Sequence, residues 1–244
     1  MRKHRVPIGW PRPDPRHYRF PLPNAVWEYD LKPTEFVILS YLCYYHHRHN
    51  DGKVSAEAVA NAVHMTTGTV KKYLPSLVGR KLITDEFSLA PALQLTDDRK
   101  FFTLPNEIFL LNLSPSAFMV YAYLLLVEDR GTHTCHPSYS TIAAETGMAR
   151  NTVIKSIDAL LNAKLIAMEH SRYFDKYGMK WNGNNLYTIL PTQQAVDVHH
   201  QRQLRQLELD AERRQVCQRQ EAYDRRHPRV FPCDPAALSS APTA

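Results

Sequence analysis

The chain repeats itself. "FPLPNAVWEYDLKPTEF" (residues 20–36) aligns without a gap with "FTLPNEIFLLNLSPSAF" (residues 102–118), an offset of 82 positions. After one inserted residue the match resumes at an offset of 83. Ser55, Ala60, Met65, Thr69, Val70, Lys72, Leu77, Lys81, Leu82 and Ile83 then fall on Ser138, Ala143, Met148, Thr152, Val153, Lys155, Leu160, Lys164, Leu165 and Ile166. Identities at both ends of each unit make chance similarity a poor explanation. The chain therefore reads as two copies of one unit of about 80 residues, each large enough for a small single-core domain. Whatever it folds into must be something that can be built twice.

The second copy reads more clearly. Ser114 can cap a helix whose first position is Pro115, where a missing N–H is harmless. That helix should run to about Glu128. Its run "FMVYAYLLLV" is apolar nearly all round, which suits a central core helix and is too short to span a bilayer. "DRGTHTCHPS" has the composition of a loop. A short helix follows at about 140–146, with Ile142 and Ala143 inward, and Gly147 supplies a tight turn. The next helix, about 150–162, carries Val153, Ile157 and Leu160 on one side. "LIAMEHSRYF" and "NLYTILP" have strand composition and are separated by the turn-rich "DKYGMKWNGN". Three helices followed by a β-hairpin make a winged helix, an architecture that presents its third helix to the DNA major groove.

"LPNEIF", "LSPSAFMVYAYLL" and "HPSYSTIAAETGMARNTVIKSIDALLNAKLI" resemble the bacterial helix-turn-helix family of winged-helix proteins found on phages, plasmids and conjugative elements. The resemblance covers residues 102–191 well and 20–95 more loosely. It implies DNA binding, as a regulator or as a replication-initiator-like protein, and two winged helices in tandem are similar to plasmid replication initiators. It does not choose between those processes, because fold and process are separable. The expected architecture is mainly α with small β-hairpins (α+β): two tandem winged helix-turn-helix domains plus a C-terminal polar helix. The boundaries read as a basic arm at 1–19, domains at 20–98 and 99–191, a polar helix at 192–227 and a disordered tail at 228–244.

At 100° per residue, Lys155 lies about 200° from Val153, and Asn151, Thr152 and Asn162 lie within about 60° of it. Arg150 sits at the N-terminal tip. Asn can pair with adenine, Arg with guanine, and Thr or Lys with phosphate or base edges. A solvated polar face is the bland alternative. The Gly turn before the helix, the hairpin after it and the repeat around it favour the reading helix. In copy 1 the outward positions are Gly68, Thr69, Lys72 and Ser76, with Lys71 at the flank. Gly68 replaces Asn151, and Pro75 should weaken or bend the helix. Copy 2 is therefore the expected principal reader. The candidate DNA-binding set is Ser138, Ser140, Arg150, Asn151, Thr152, Lys155 and Asn162, with Arg172, Lys176 and Lys180 on the second wing. Thr67, Thr69, Lys71 and Lys72 are the copy 1 members. Asp85 and Glu86 in the first hairpin would repel phosphate if they faced it.

A net charge of +6 favours a polyanionic partner without proving one. Arg2, Lys3, Arg5, Arg12, Arg16 and Arg19 lie in a proline-rich leader that can reach a minor groove or remain a solvated leader. It lacks the apolar core of a signal peptide. Cys43, Cys135, Cys217 and Cys233 are scattered, as suits free thiols in a reducing cytosol. "YYHHRH" and "HTCH" have no partner cluster at zinc-site spacing, so no metal is expected. No phosphate-binding Gly loop, nucleophile elbow or paired-His motif is found, so neither catalysis nor a cofactor is expected. The expected protein is cytoplasmic, bacterial and held at the nucleoid by double-stranded DNA. A second copy or a replication or transcription protein are further partners, and no membrane is. The competing expectation is an adaptor, such as a replisome loader, whose winged helices bind protein.

Overall fold

The computed structural model describes residues 18–49, 54–84, 89, 101–174 and 180–227, with the side chains of 171–174 and 180–184 excepted. The chain divides into two compact units, Met1–His199 and His200–Ala244. In the first unit the order is β1 (Arg19–Pro23), α1 (Pro33–His49), α2 (Ala56–Ala62), α3 (Thr67–Gly79), β2 (Phe101–Pro105), α4 (Pro115–Val127), β3 (Thr134–Cys135), α5 (Tyr139–Thr146), α6 (Arg150–Asn162), β4 (Ile166–Phe174) and β5 (Lys180–Ile189). Helix α7 (Thr192–Arg226) begins there. The architecture is α+β, mostly helical with small antiparallel sheets.

Every element of copy 1 recurs at its shifted position. Short 3-10 helices follow β1 at Asn24–Tyr29 and β2 at Asn106–Leu111. Even the left-handed residues repeat: Asp30 with Asn112 (φ 44° and 48°), His64 with Gly147 (53° and 65°), and Lys81 with Lys164 (57° and 59°). Asn and Asp tolerate this region because their short polar side chains bond locally. Ser114 caps α4 through its hydroxyl, which accepts from the Ala117 N–H at 3.3 Å, and Pro115 is the first helical residue.

The two copies are joined by their lead-in strands. β1 and β2 pair antiparallel, with Phe20 opposite Leu104, Leu22 opposite Phe102, and Pro21 opposite Thr103. Thr103 is the repeat counterpart of Pro21 (21 + 82), so the pairing is the one a two-fold axis would produce. The aromatic contacts across the junction obey the same axis, except Tyr44 with Phe109 (5.4 Å), since Leu126 stands at the counterpart of Tyr44. Phe36 meets its own counterpart Phe118 edge-on at 6.2 Å. Phe20 on Phe109 (5.7 Å) mirrors Trp27 with Phe102 (6.3 Å). Trp27 with Phe36 (4.9 Å) mirrors Phe109 with Phe118 (5.6 Å). Trp27 with Tyr123 (5.7 Å) mirrors Phe109 with Tyr41 (5.3 Å). Phe20, Leu22, Phe102 and Leu104 are all buried, as alternation along a half-covered strand requires. One continuous core therefore serves both copies, and the segments expected as domains 20–98 and 99–191 lie within a single compact unit.

Two local expectations need correction, and α3 runs on through Pro75. Arg19, assigned to the arm, belongs to β1: its guanidinium donates to the hydroxyl and carbonyl oxygens of Thr103 at 2.9 and 2.8 Å. The loop "DRGTHTCHPS" contains β3, which pairs with β5 to give a three-stranded sheet in the order β3-β5-β4. Two residues are too few to show a period, so only the pairing makes them a strand. Helix α3 continues through Pro75 to Gly79, although Pro75 has no N–H to offer the Lys71 carbonyl. The arm's residues 1–17, Asp85 and Glu86 of the first hairpin, Lys176 and the tail 228–244 lie outside the described residues.

The second unit, where described, is the continuation of α7. Its side chains are nearly all exposed, including Leu204, Leu207, Val216 and Tyr223. No helix among the described residues is long and apolar enough to cross a membrane.

The shared core makes a definite prediction. Phe118→Ala should cost about 3–5 kcal/mol. It should lower the stability of both copies together, so amide exchange in α3 and in α6 should accelerate in parallel. Loss of protection in α6 alone would mean that the copies unfold independently.

Candidate nucleic-acid interface

Helix α6 is placed by its apolar side. Val153, Ile157 and Leu160 are fully buried and pack it on α4 and α5. Gly147 at φ 65° closes α5, with the Met148 N–H bonded to the Ala143 carbonyl at 3.1 Å, and the chain leaves into α6 two residues later. A β-carbon is disfavoured at that φ, which explains the glycine. The α5–turn–α6 unit followed by the β4–β5 hairpin is a helix-turn-helix with a wing.

The side of α6 away from the core exposes Asn151, Lys155 and Asn162, with Thr152 half-buried beside them, as their spacing implies. Arg150 is exposed at the N-terminal tip of the helix, about 60° from Val153 and so off that face. Ser140 is exposed nearby at the start of α5. The Ser138 hydroxyl is engaged as the α5 cap, accepting from the Thr141 N–H at 3.0 Å and lying 2.8 Å from the Thr141 hydroxyl. Of the wing residues, Arg172 and Lys180 sit on β4 and β5, opposite Asn182 and Phe174 respectively.

Two residues of this surface escaped the reading of the sequence. Asp158 is exposed on the same face, about 140° from Val153, and the 100° arithmetic that found Lys155 would have found it. It places a carboxylate among the basic and amide side chains. Tyr139 had no such signal. The Arg150 guanidinium lies 5.8 Å from the centre of its ring, and its hydroxyl reaches the Met168 sulfur on β4 at 3.6 Å. It thus ties the tip of α6, the start of α5 and the root of the wing together. The wing root is further held by Asn185, which donates to the Tyr187 hydroxyl at 3.0 Å and whose carbonyl oxygen lies 2.9 Å from His170 Nδ1. Burial pushes the Tyr187 phenol well above its ordinary pKa, so it stays protonated in this network.

Copy 1 offers a different surface. Lys71 and Lys72 are exposed, Thr67 and Thr69 are half-buried, and Gly68 leaves a bare backbone where Asn151 stands in copy 2. The ends of the two helices also differ. Thr66 caps α3, its hydroxyl accepting from the Thr69 N–H at 3.1 Å and lying 2.8 Å from the Thr69 hydroxyl. At the equivalent position α6 has Ala149, in the same extended conformation but without a side-chain acceptor. The Thr152 and Val153 N–H groups bond the Ala149 carbonyl instead, at 2.8 and 3.1 Å, and the first turn of α6 begins beside Arg150 without a side-chain cap. Asn151, Thr152, Lys155 and Asn162 come together on α6, whereas Thr69 of copy 1 and Ser138 of copy 2 are engaged in caps. Among the described residues, no group of three or more His, Cys, Asp or Glu side chains is placed to hold a metal ion.

One comparison with known proteins agrees with this geometry. Residues 111–166, which span α4, α5 and α6, match the family model of a helix-turn-helix domain. Among solved structures, a "Possible transcriptional regulator from Methanosarcina mazei Go1" aligns with 44% of this chain and 80% of its own. The identity is 17% and the TM-score is 0.29. No curated protein matches the chain.

The uncapped helix is open to a simple test. Ala149→Ser offers the Thr152 N–H, which now bonds the Ala149 carbonyl at 2.8 Å, a side-chain acceptor in a backbone already extended for it, and should stabilise the protein by about 1 kcal/mol in urea denaturation. An unchanged or lower midpoint would mean that the end of α6 is satisfied in some other way.

Proposed function

We propose that this chain is a non-catalytic, sequence-specific double-stranded DNA-binding protein that reads the major groove with α6. The observation that carries the reading is the exposed face formed by Asn151, Lys155 and Asn162, with Arg150 at the tip of the helix, set behind a left-handed Gly turn within a segment that matches helix-turn-helix domains. Its process is transcriptional regulation or replication initiation on a mobile element, as the resemblance of the second copy implies. Asn151 and Arg150 are assigned to base edges, and Lys155 to phosphate.

The two-fold relation between the copies supports a pseudo-dimer in one chain. B-DNA is itself two-fold along its backbone, so two helices related by such an axis meet half-sites in inverted orientation. Because Gly68 stands where Asn151 does, and Thr66 and Thr69 are tied in a cap, the half-site under α3 should be the degenerate one. Selection from a random duplex pool should therefore return one well-defined half-site beside a poorly defined one, inverted with respect to it. Direct repeats of equal information would overturn this assignment.

Asn151→Ala with Lys155→Ala should lower affinity for the selected site by more than tenfold and flatten the salt dependence by about one counterion. If this variant binds as the wild type does, α6 is not the reading helix. Asp158→Asn should raise non-specific affinity, because it removes a carboxylate from the face offered to phosphate.

A further inference from the structure

Helices α3 and α6 are counterparts residue for residue, each 13 residues long and offset by 83 positions. On α6 the residues at i, i+4, i+7 and i+11 on the side away from the core are Asn151, Lys155, Asp158 and Asn162, all exposed. They lie within about 60° of one another around the helix. The same four positions of α3 hold Gly68, Lys72, Pro75 and Gly79, also exposed. A β-carbon on Gly79 would meet nothing within 4 Å, and one on Gly68 only the Thr66 hydroxyl at 3.9 Å, so packing demands neither glycine. The fold therefore forms this helix whether or not its outer stripe can make hydrogen bonds. In copy 1 the stripe carries a lone cation. In copy 2 it keeps the cation and adds two amides and a carboxylate.

The carboxylate is the least expected of these. The Asp158 side chain makes no ion pair or hydrogen bond among the described residues, although Lys155 stands one turn before it. Asp is a weaker helix former than most residues, so the helix itself does not explain it. Contact with phosphate does not explain it either, since the charges would repel. An ionised carboxylate only accepts hydrogen bonds. The donors in the major groove are the exocyclic amino groups of cytosine and adenine, whereas guanine O6 and N7 and thymine O4 are acceptors. Adenine sets its N7 acceptor beside its amino group, an edge that suits an amide such as that of Asn151. Cytosine shows no acceptor of its own there, and so is the base that suits Asp158.

We propose that Asp158 is a specificity-determining residue of the half-site under α6, its carboxylate accepting a hydrogen bond from the N4 amino group of a cytosine. The proposal rests on α6 being the reading helix. Seven residues separate Asp158 from Asn151, about 10 Å along the helix axis, so the two address different base pairs. Over guanine or thymine the same carboxylate meets an acceptor and is repelled, so it discriminates against the wrong base as well as for the right one. Copy 1 holds Pro75 at this position and has no such discriminator.

The test couples one side chain to one base pair, using the full chain. Wild type and Asp158→Asn each select duplexes from a random pool. The wild-type motif should contain a defined cytosine that the Asp158→Asn motif lacks, with the rest of the α6 half-site unchanged. In the wild-type duplex that C·G pair is then replaced by T·A, which puts the O4 acceptor where the N4 donor was. The replacement should weaken wild type about tenfold and Asp158→Asn less than about twofold. Asp158 is exposed and the substitution keeps its shape, so the variant should retain the wild-type urea midpoint. A merely structural role would weaken binding to both duplexes equally. The same cytosine in both motifs, or an equal loss by both proteins on the T·A duplex, would overturn the proposal. If Asn151→Ala with Lys155→Ala loses the site in that case, α6 remains the reading helix and only the role of Asp158 falls. A wild type that selects no duplex overturns both.

Discussion

The antiparallel pairing of β1 with β2 is the constraint on which the rest of the molecule depends. A two-stranded ribbon is marginal by itself. Here it survives because Phe20, Leu22, Phe102 and Leu104 turn inward onto a cluster built from both copies, with Phe36 and Phe118 meeting where the axis passes. Pro21 can sit in such a strand because a ribbon of two strands has only edges. Every aromatic contact across the junction except Tyr44 with Phe109 has a counterpart related by the axis, so the interface is self-complementary in the manner of a symmetric dimer held in one chain. Helices α3 and α6 are packed on α1 and α4, and those two meet across the same axis. The orientation of α3 and α6 is thereby inherited from a strand pairing far from them in sequence.

Given that symmetry, the differences between the copies become interpretable. Three counterpart pairs have diverged around the two turns. Thr66 caps its helix whereas Ala149 leaves its helix uncapped. Gly68 is bare whereas Asn151 presents an amide. His64 bridges to Phe109 whereas Gly147 leaves a cleft. In each pair copy 1 holds the internally satisfied arrangement and copy 2 the open one. A cap and a bridging hydrogen bond each contribute about 1 kcal/mol, so copy 2 forgoes local stability at these positions. The shared core lets copy 1 and the aromatic junction offset that deficit, a trade that stability and function commonly make.

Much of copy 2 was legible in the sequence for a physical reason. A helix that packs on one side must carry its apolar residues at helical spacing, so the bounds of α6 and the inward Val153, Ile157 and Leu160 could be read directly. The left-handed turn was legible because Gly147 is the residue best suited to it. Asp158 was equally readable and was passed over. Tyr139 and β3 were not, since a cation–π contact and a two-residue strand depend on partners remote in sequence. Arg19 looked like one more charge of a basic leader until its bonds to Thr103 placed it in β1.

The sequence by itself determined the self-similarity of the two copies, where the helices of the second copy begin and end, and which polar residues lie outward on α6. Those properties follow from local periodicity, capping and self-similarity, and need no knowledge of what packs where. Only the tertiary structure decided that the copies share one core and are related by a two-fold axis, and that His64 bridges to Phe109 where its counterpart Gly147 leaves a cleft. Those properties come from the register of β1 against β2 and from side chains meeting across about 80 positions of chain, and no local pattern encodes which of many pairings buries the most surface.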